Sequence, residues 1–338
     1  MARGSITLKE EGMKILFIGG TGIISSACSQ LALERGYDLT LLNRGQSHRP
    51  MPEGAQQIQA DIRNLAAAKE ALAEHHFDVV VNWIAFTPEH IATDLELFSG
   101  RTGQYVFISS ASAYQTPPAR LPITESTPLH NPFWAYSRQK IACENRLMRA
   151  YRENGFPVTL VRPSHTYDQT LFPMRGGYTA VNRMRQGKKV VVHGDGTSLW
   201  TLTHHRDFAK AFVGLLGHPA AIGDVFHITS DESLSWNQIF QQVAAAAGTE
   251  AQIVHIPSDT LAHHDADWGD GLLGDKAHSM IFDNSKIKQI VPDFVATIPF
   301  WQGAQEIMAW YDADPARQTI DASFDQLLDE LIARYDPA

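Results

Sequence analysis

Tyr136 and Lys140 stand four residues apart, the spacing at which a helix brings a phenol and an ammonium to one face. A positive charge beside a phenol lowers its pKa from the usual value of about 10, so Tyr136 is expected to exchange a proton near neutrality. A second run, Val106-Phe107-Ile108, is apolar enough for a buried strand and ends in the hydroxyls of Ser109, Ser110 and Ser112. If that strand end meets the helix, Ser110 can hydrogen-bond a substrate oxygen. The chemistry would be a hydride moving between the carbon bearing this oxygen and a nicotinamide, with the protein supplying orientation. A surface tyrosine beside a solvated lysine is the competing reading of the spacing alone. Whether the chain also builds a place for a dinucleotide separates the two.

Such a place is legible near the start. Met13 to Ile18 is an apolar strand that runs into Gly19-Gly20-Thr21-Gly22 and then a helical pattern from Ile23. Gly19 permits the tight turn, Gly22 lets backbone approach a pyrophosphate, and the amides opening the helix present partial positive charge. Thr21, Ile23 and Ile24 complete the expected contact set, and Ser25 takes the place where a third glycine is usual. Strands are expected at Ile15–Ile18, Leu39–Leu42, Gln57–Gln59, Val79–Trp83, Tyr105–Ser109 and Val158–Val161. Helices are expected at Ile23–Arg35, Leu65–His75, Glu89–Phe98 and Trp134–Asn154. This alternation makes a parallel sheet with helices on both faces.

Past Pro163 the signals break up around Val190–His193, Asp207–Leu216, Val225–Thr229 and Trp236–Ala247, which reads as a smaller mixed domain over the carboxyl ends of the strands. The division expected is a dinucleotide-binding domain over 13–165 and a mainly substrate-binding domain over 166–338, with some segments returning to the first. Because Met13 opens the first strand directly, Met1 to Gly12 is expected to be an extension with no part in the fold.

The 338 residues are 44% hydrophobic, enough for a sizeable core, and carry a net charge of −9. Without a basic excess nothing offsets repulsion by nucleic-acid phosphates, so no nucleic-acid partner is expected. Cys28 and Cys143 both fall in helical patterns, which suggests neither a disulfide framework nor a thiolate metal site and fits a cytoplasmic protein. No apolar run is long enough for a membrane span. Neither His204-His205 nor His263-His264-Asp265 has the spacing of convergent ligands, so no metal is expected. The glycine-rich segment Gly269 to Gly274 reads as a loop that could close over a ligand.

Several motifs recur together: Gly19-Gly20-Thr21-Gly22, Ala60-Asp61-Ile62-Arg63, Ile108-Ser109-Ser110 with Tyr114, Tyr136 and Lys140, Val161-Arg162-Pro163, Gly194-Asp195-Gly196 with Asp207, and Phe226-His227-Ile228. In this combination the chain resembles the extended short-chain dehydrogenase/reductases, the NAD-dependent epimerases and dehydratases of nucleotide sugars, from Lys14 to roughly Trp310. The resemblance implies an α/β protein, a Rossmann-type doubly wound parallel sheet with a smaller mixed α/β substrate domain. It implies that Ser110, Tyr136 and Lys140 form a catalytic triad, and that Asp61 and Ile62 hold adenine. Ile84 and Ala85 would line the cofactor channel, Pro163 and His165 would flank nicotinamide and substrate, and Thr87 and Ser112 would be further substrate contacts. Ser110 is preferred to Ser109 or Ser112 because relatives place the catalytic hydroxyl four residues before the tyrosine matching Tyr114. Asp61 also suits a turn before Asn64.

Where NAD-using relatives carry an acidic residue for the ribose hydroxyls, this chain has Asn43-Arg44. Arg44 could pair with a 2′-phosphate, which favours NADP over NAD. Relatives dimerise through two helices, here Glu89–Phe98 and Trp134–Asn154, so a homodimer is expected.

The resemblance breaks at the substrate. Nucleotide-sugar members clamp the diphosphate with two arginines, and those places hold Trp200 and Leu272. Each charge-assisted bond is worth about 1.5–3 kcal/mol, so losing both points to a substrate without a nucleotide diphosphate. Trp200 and His165 would then stack on and hydrogen-bond a free sugar, glycoside or ring compound. The alternatives are a nucleotide-sugar epimerase whose phosphate charge comes from Arg175, Arg183, Arg185 or Lys276, or a cofactor-sensing regulator without catalysis. Ala111-Ser112 follows Ser110 where dehydratases have an acidic pair, which disfavours dehydration.

Overall fold

The computed structural model describes residues 12–336, so the expectation for the leading segment lies, but for Gly12, outside the described residues. In chain order the first half comprises β1 Lys14–Ile18, α1 Ile23–Glu34, β2 Asp38–Asn43, β3 Gln56–Gln59, α2 Leu65–Ala71, β4 Val79–Asn82, α3 Pro88–Phe98, β5 Gln104–Ile108, α4 Ala135–Asn154 and β6 Val158–Pro163. There follow β7 His165–Tyr167, α5 Tyr178–Arg185, β8 Val190–His193, β9 Leu199–Trp200, β10 Leu202–His204, α6 His205–Leu215, β11 Asp224–Ile228, β12 Leu234–Ser235, α7 Trp236–Ala246 and β13 Ile253–Ile256. The chain closes with α8 Ser258–His264, α9 Ala266–Gly271, α10 Ser285–Ile290, α11 Phe300–Asp312 and α12 Ala322–Tyr335.

Seven strands make one parallel sheet in the order β3-β2-β1-β4-β5-β6-β11. They are near-continuous apolar runs because both faces are covered. Ile15, Phe17, Val79, Val81 and Val106 pack with Cys28 of α1 and Phe208 and Phe212 of α6. On the other face Leu16, Ile18, Val80 and Phe107 meet Ala68, Leu97 and Leu147 from α2, α3 and α4. Strand order reverses beside β1, which leaves a crevice at the carboxyl ends of β1 and β4, where open α/β sheets take ligands.

The two halves interleave: β11 pairs with β6, Phe226 opposite Val161, and α6 lies against α1. The rest of the second half has its own apolar centre, including Tyr167, Val181, Trp236, Phe240, Phe300 and Ile307. A smaller cluster of Val191, Val254, Leu261, Phe324 and Leu331 joins α8 and α12 to β8 and β13.

Local chemistry sets the element ends. Asn64 caps α2, its Oδ1 accepting from the Ala67 N–H, and Gly155 ends α4 with φ +67°. α2 stops at Ala71, short of His75, because the chain tightens there into Ala73 N–H to Glu70 and His75 N–H to Leu72 turns. β4 ends at Asn82 because that side chain turns the backbone, accepting from the Ile84 N–H at 2.9 Å while donating to buried Asp94 at 2.7 Å.

The expectation of a glycine lid over 269–274 is overturned: the segment is α9 followed by a π-helical turn, Leu272–Lys276. Its glycines serve close packing. A Cβ on Gly269 would stand 2.4 Å from that of Ala262, and one on Gly274 2.7 Å from that of Trp134. No helix among the described residues is long and apolar enough to cross a membrane.

Candidate active site

Two cavities open at the carboxyl edge of the sheet, on either side of the glycine turn. The larger, about 560 Å³, is lined by Gly19, Asn43, Arg44, Asp61, Ile62, Arg63, Ile84 and His90 among others. The other, about 390 Å³, is lined by Ile24, Ser109, Ser110, Ser112, Tyr136, Lys140, Pro163, His165 and Trp200, and Phe86 lines both. Between the strand and α1, Gly19 and Gly20 hold φ of +101° and +97°, a region that favours glycine, and a Cβ on Gly20 would press to 2.6 Å from Leu41.

This arrangement suits a dinucleotide. A buried, unpartnered hydroxyl on Ser109 and the unpartnered indole N–H of Trp83 both belong to residues lining the inner cavity. Asp61 Oδ1 accepts from the Arg63 N–H, so it makes the turn before Asn64 and also lines the outer cavity. Asn43 Oδ1 accepts from the Gly45 N–H and from Gln57, both at 2.9 Å, which engages its acceptor internally. Arg44 and Arg63 are near enough for the charge of the first to lower the pKa of the second, though burial lowers it more.

Not every expected contact faces these cavities. The Gly22 N–H is taken by Ser25 Oγ at 2.7 Å, so the serine in the third-glycine place caps the helix rather than leaving that amide for a phosphate. Thr21, Gly22 and Ile23 line neither cavity, and the Thr21 hydroxyl donates to Ser47. Ala85 is fully buried and contributes its carbonyl to Lys140 rather than a wall. Thr87, expected as a substrate contact, precedes α3 and lines neither cavity, whereas Phe86 beside it lines both.

The expected triad residues come from α4 and the end of β5. Lys140, 1% exposed, donates to the carbonyls of Ala85 and Ile108, both at 2.8 Å, and lies over the rings of Phe86, Phe107 and Tyr136. Burial brings its pKa down to about 8. The expectation that Lys140 depresses the phenol is overturned. Burial pushes Tyr136 up to about 12, a hydrogen bond to Ser110 draws it down only partly, and the nearby Asp275 carboxylate raises it further. The ammonium is committed to two backbone carbonyls, and desolvation wins.

Ser112 proves to be a link rather than an open contact. Ser137 donates to Ser112 Oγ at 2.8 Å, and Ser112 Oγ lies 2.9 Å from Ser110 Oγ. Either hydroxyl of the Ser110–Ser112 pair can donate to the other, and Ser137 ties the pair to α4. Ser137, fully buried, was legible only as the residue after the tyrosine, and its inward aim follows from the α4 face that packs on the strand end.

Across the cavity, Trp200 Nε1 donates to His165 Nδ1 at 3.3 Å. Burial and the charge of Lys276 bring His165 down to about 3, so the ring is neutral and carries its proton on Nε2 as a donor. Trp200 is itself 3% exposed, with the Lys276 ammonium 5.6 Å from its ring centroid. Asp275, beside the glycine-rich segment, also lines this cavity, as do Trp134, Met280 and Phe282, which carried no signal of their own in the sequence.

The cations proposed as replacement phosphate ligands are differently placed. Arg175 pairs with Asp265 and Asp267, Arg183 with Asp325 and Asp329, and Arg185 with Asp312. Lys276 alone of the four lines the inner cavity. The histidines of interest are also engaged: His204 Nε2 meets Glu306 and His264 Nε2 meets the Tyr335 hydroxyl. Among the described residues no group of three or more His, Cys, Asp or Glu is arranged to hold a metal ion.

Residues 15–229 match the family described as the NAD dependent epimerase/dehydratase family. The chain is 23% identical to a 2'-dehydrokanamycin reductase of Streptomyces kanamyceticus over 85% of this chain and 81% of that one. It is 24% identical to a UDP-glucose 4-epimerase of Corynebacterium glutamicum over 70% and 81% of the two chains. Its fold is that of a dTDP-glucose 4,6-dehydratase from Bacillus anthracis solved in complex with NAD, with a TM-score of 0.73 at 21% identity over 90% of this chain and 98% of that one.

Proposed function

The chain belongs to the NAD dependent epimerase/dehydratase family, and from that premise we propose that it reduces or epimerises a secondary alcohol or ketone of a sugar-like substrate lacking a nucleotide diphosphate, through Ser110, Tyr136 and Lys140. The observation that carries the reading is the meeting of all three groups in one cavity at the carboxyl edge of the sheet, with the lysine locked to the carbonyls of Ile108, at the end of β5, and Ala85, in the loop after β4. When bound there, the nicotinamide would supply the hydride acceptor or donor. In the reductive direction Tyr136 would give its proton to the developing alkoxide. Ser110 gives that oxygen a second hydrogen bond, oriented through Ser112 and Ser137. Lys140 fixes both segments and keeps a third N–H for a cofactor hydroxyl.

The cofactor is NADP in this reading. Asn43 stands where an acidic residue would repel a 2′-phosphate, and two guanidiniums, Arg44 and Arg63, line the outer cavity. Pairing of the three arginines with aspartates supports a substrate without a diphosphate; Lys276 is the one feature that favours the second reading, a rearranged phosphate site. A homodimer through α3 and α4 belongs to the same proposal: exposed Glu89 and Glu96 on one helix complement exposed Arg138, Arg146 and Arg149 on the other, and the mass in solution checks it.

The decisive experiment compares the parent protein with Tyr136→Phe for nicotinamide-cofactor oxidation on ketosugars and for cofactor affinity by calorimetry. Loss of turnover with affinity retained supports the enzyme. Turnover equal in both proteins would sink the role of Tyr136, and a cofactor grip with no turnover on any ketosugar would leave the sensor.

A further inference from the structure

A second chamber, about 320 Å³, opens off the catalytic cavity, and Trp134, His165 and Lys276 line both. Its walls are apolar: Phe172, Met174, Trp236, Phe240, Leu272 and Phe324 line it, none more than 7% exposed. They come from four separate stretches of the second half, including α7 and α12, so the chamber is a built feature of the fold rather than a groove along one element.

Its charges are already spoken for. Arg175 lines the chamber with each of its two terminal guanidinium nitrogens paired, to Asp267 at 2.7 Å and to Asp265 at 2.9 Å. Lys276, at the neck, has Asp275 at 3.5 Å and lies 5.7 Å and 5.6 Å from the ring centroids of Trp134 and Trp200. His193 donates through Nε2 to the Lys276 carbonyl, and burial keeps it neutral. A diphosphate entering here would have to break ion pairs already made and would sit against aromatic walls, both unfavourable.

We propose that this chamber binds an uncharged apolar ring group attached to the reacting part of the substrate. On this view the substrate is bipartite: a polar ring carrying the alcohol or ketone lies at Tyr136, a linking oxygen passes Lys276 at the neck, and an apolar ring system fills the chamber. The inference rests on the reading of the inner cavity as the reaction site, and its test is a binding equilibrium that needs no turnover.

The neutral dye N-phenyl-1-naphthylamine, which brightens in apolar surroundings, is titrated into the full chain and then displaced by competitors. The expected result is saturable dye binding, displacement by 2-naphthyl β-D-glucoside at about tenfold lower concentration than by methyl β-D-glucoside, and no displacement by UDP in the same range. Filling the chamber with Met174→Trp should weaken dye binding by about tenfold while cofactor affinity, which reports that the fold is intact, stays as it was. Equal potency of the two glucosides, stronger displacement by UDP or by an aminated sugar, or dye binding unmoved by Met174→Trp would each overturn the proposal. Loss of the Tyr136 role with these binding results intact would strike the catalytic reading alone.

Discussion

The two sides of the cleft hold their polar groups in opposite ways. On the sheet side, side chains are fastened to backbone: Lys140 to the Ala85 and Ile108 carbonyls, Ser29 to the Gly20 carbonyl, Asn82 to the Ile84 N–H. On the covering side Arg175, at the aromatic walls of the second chamber, is fastened to other charges, Asp265 and Asp267. Backbone fastening fixes geometry and leaves a few groups aimed at the cleft, which is what proton transfer to a held substrate needs. Mutual neutralisation removes charge from a surface, which selects against anionic ligands. In the proposed function, one side would set the reaction and the other what is admitted to it.

This contrast can be broken most severely at Tyr136. With Tyr136→Phe, turnover should fall by about 10²–10⁴-fold while the cofactor dissociation constant is retained, as read by cofactor oxidation and calorimetry. Next in size is Arg44→Ala, expected to weaken NADP by about 10–100-fold and leave NAD nearly unchanged; equal losses for the two cofactors would remove Arg44 from the 2′-phosphate. Conversely, on the covering side, Asp265→Asn with Asp267→Asn releases Arg175, and UDP affinity should rise by about tenfold in a fluorescence titration.

The pH dependence follows from Lys140, held down to about 8. Below that value the ammonium is present and its charge-assisted bonds hold the two carbonyls; above it the proton leaves. The reductive rate should therefore be level up to about pH 8 and decline above it, whereas a lysine of ordinary pKa, about 10.4, would keep the plateau well past 9. The smallest effect is expected at Ser137→Ala, where loss of one donor to Ser112 should lower kcat by about threefold to tenfold with KM unmoved. A change in KM alone would mean that the serine pair holds substrate rather than orienting Ser110.

Much of the sheet side was readable because its determinants are neighbours in sequence. Alternating apolar runs, the turn at Gly19 and Gly20 and the spacing of Tyr136 and Lys140 each report a backbone conformation that depends on a few adjacent residues. Element ends drifted where a single side chain intervened, as Asn82 does after β4. The glycines of 269–274 misled because they serve a helix crossing, and a loop and a close crossing call for the same residue.

The sequence by itself therefore determined the strand order's raw material, the glycine turn after the first strand and which side chains are candidates for the reaction. Only the tertiary structure decided their electrostatic state and surroundings. The phenol of Tyr136 rises because other segments desolvate it and bring Asp275 near, and Arg175 is neutralised by Asp265 from 90 residues away. Local conformation is encoded by near neighbours along the chain, but dielectric surroundings and ion pairing are properties of whichever distant residues the fold brings within a few ångströms.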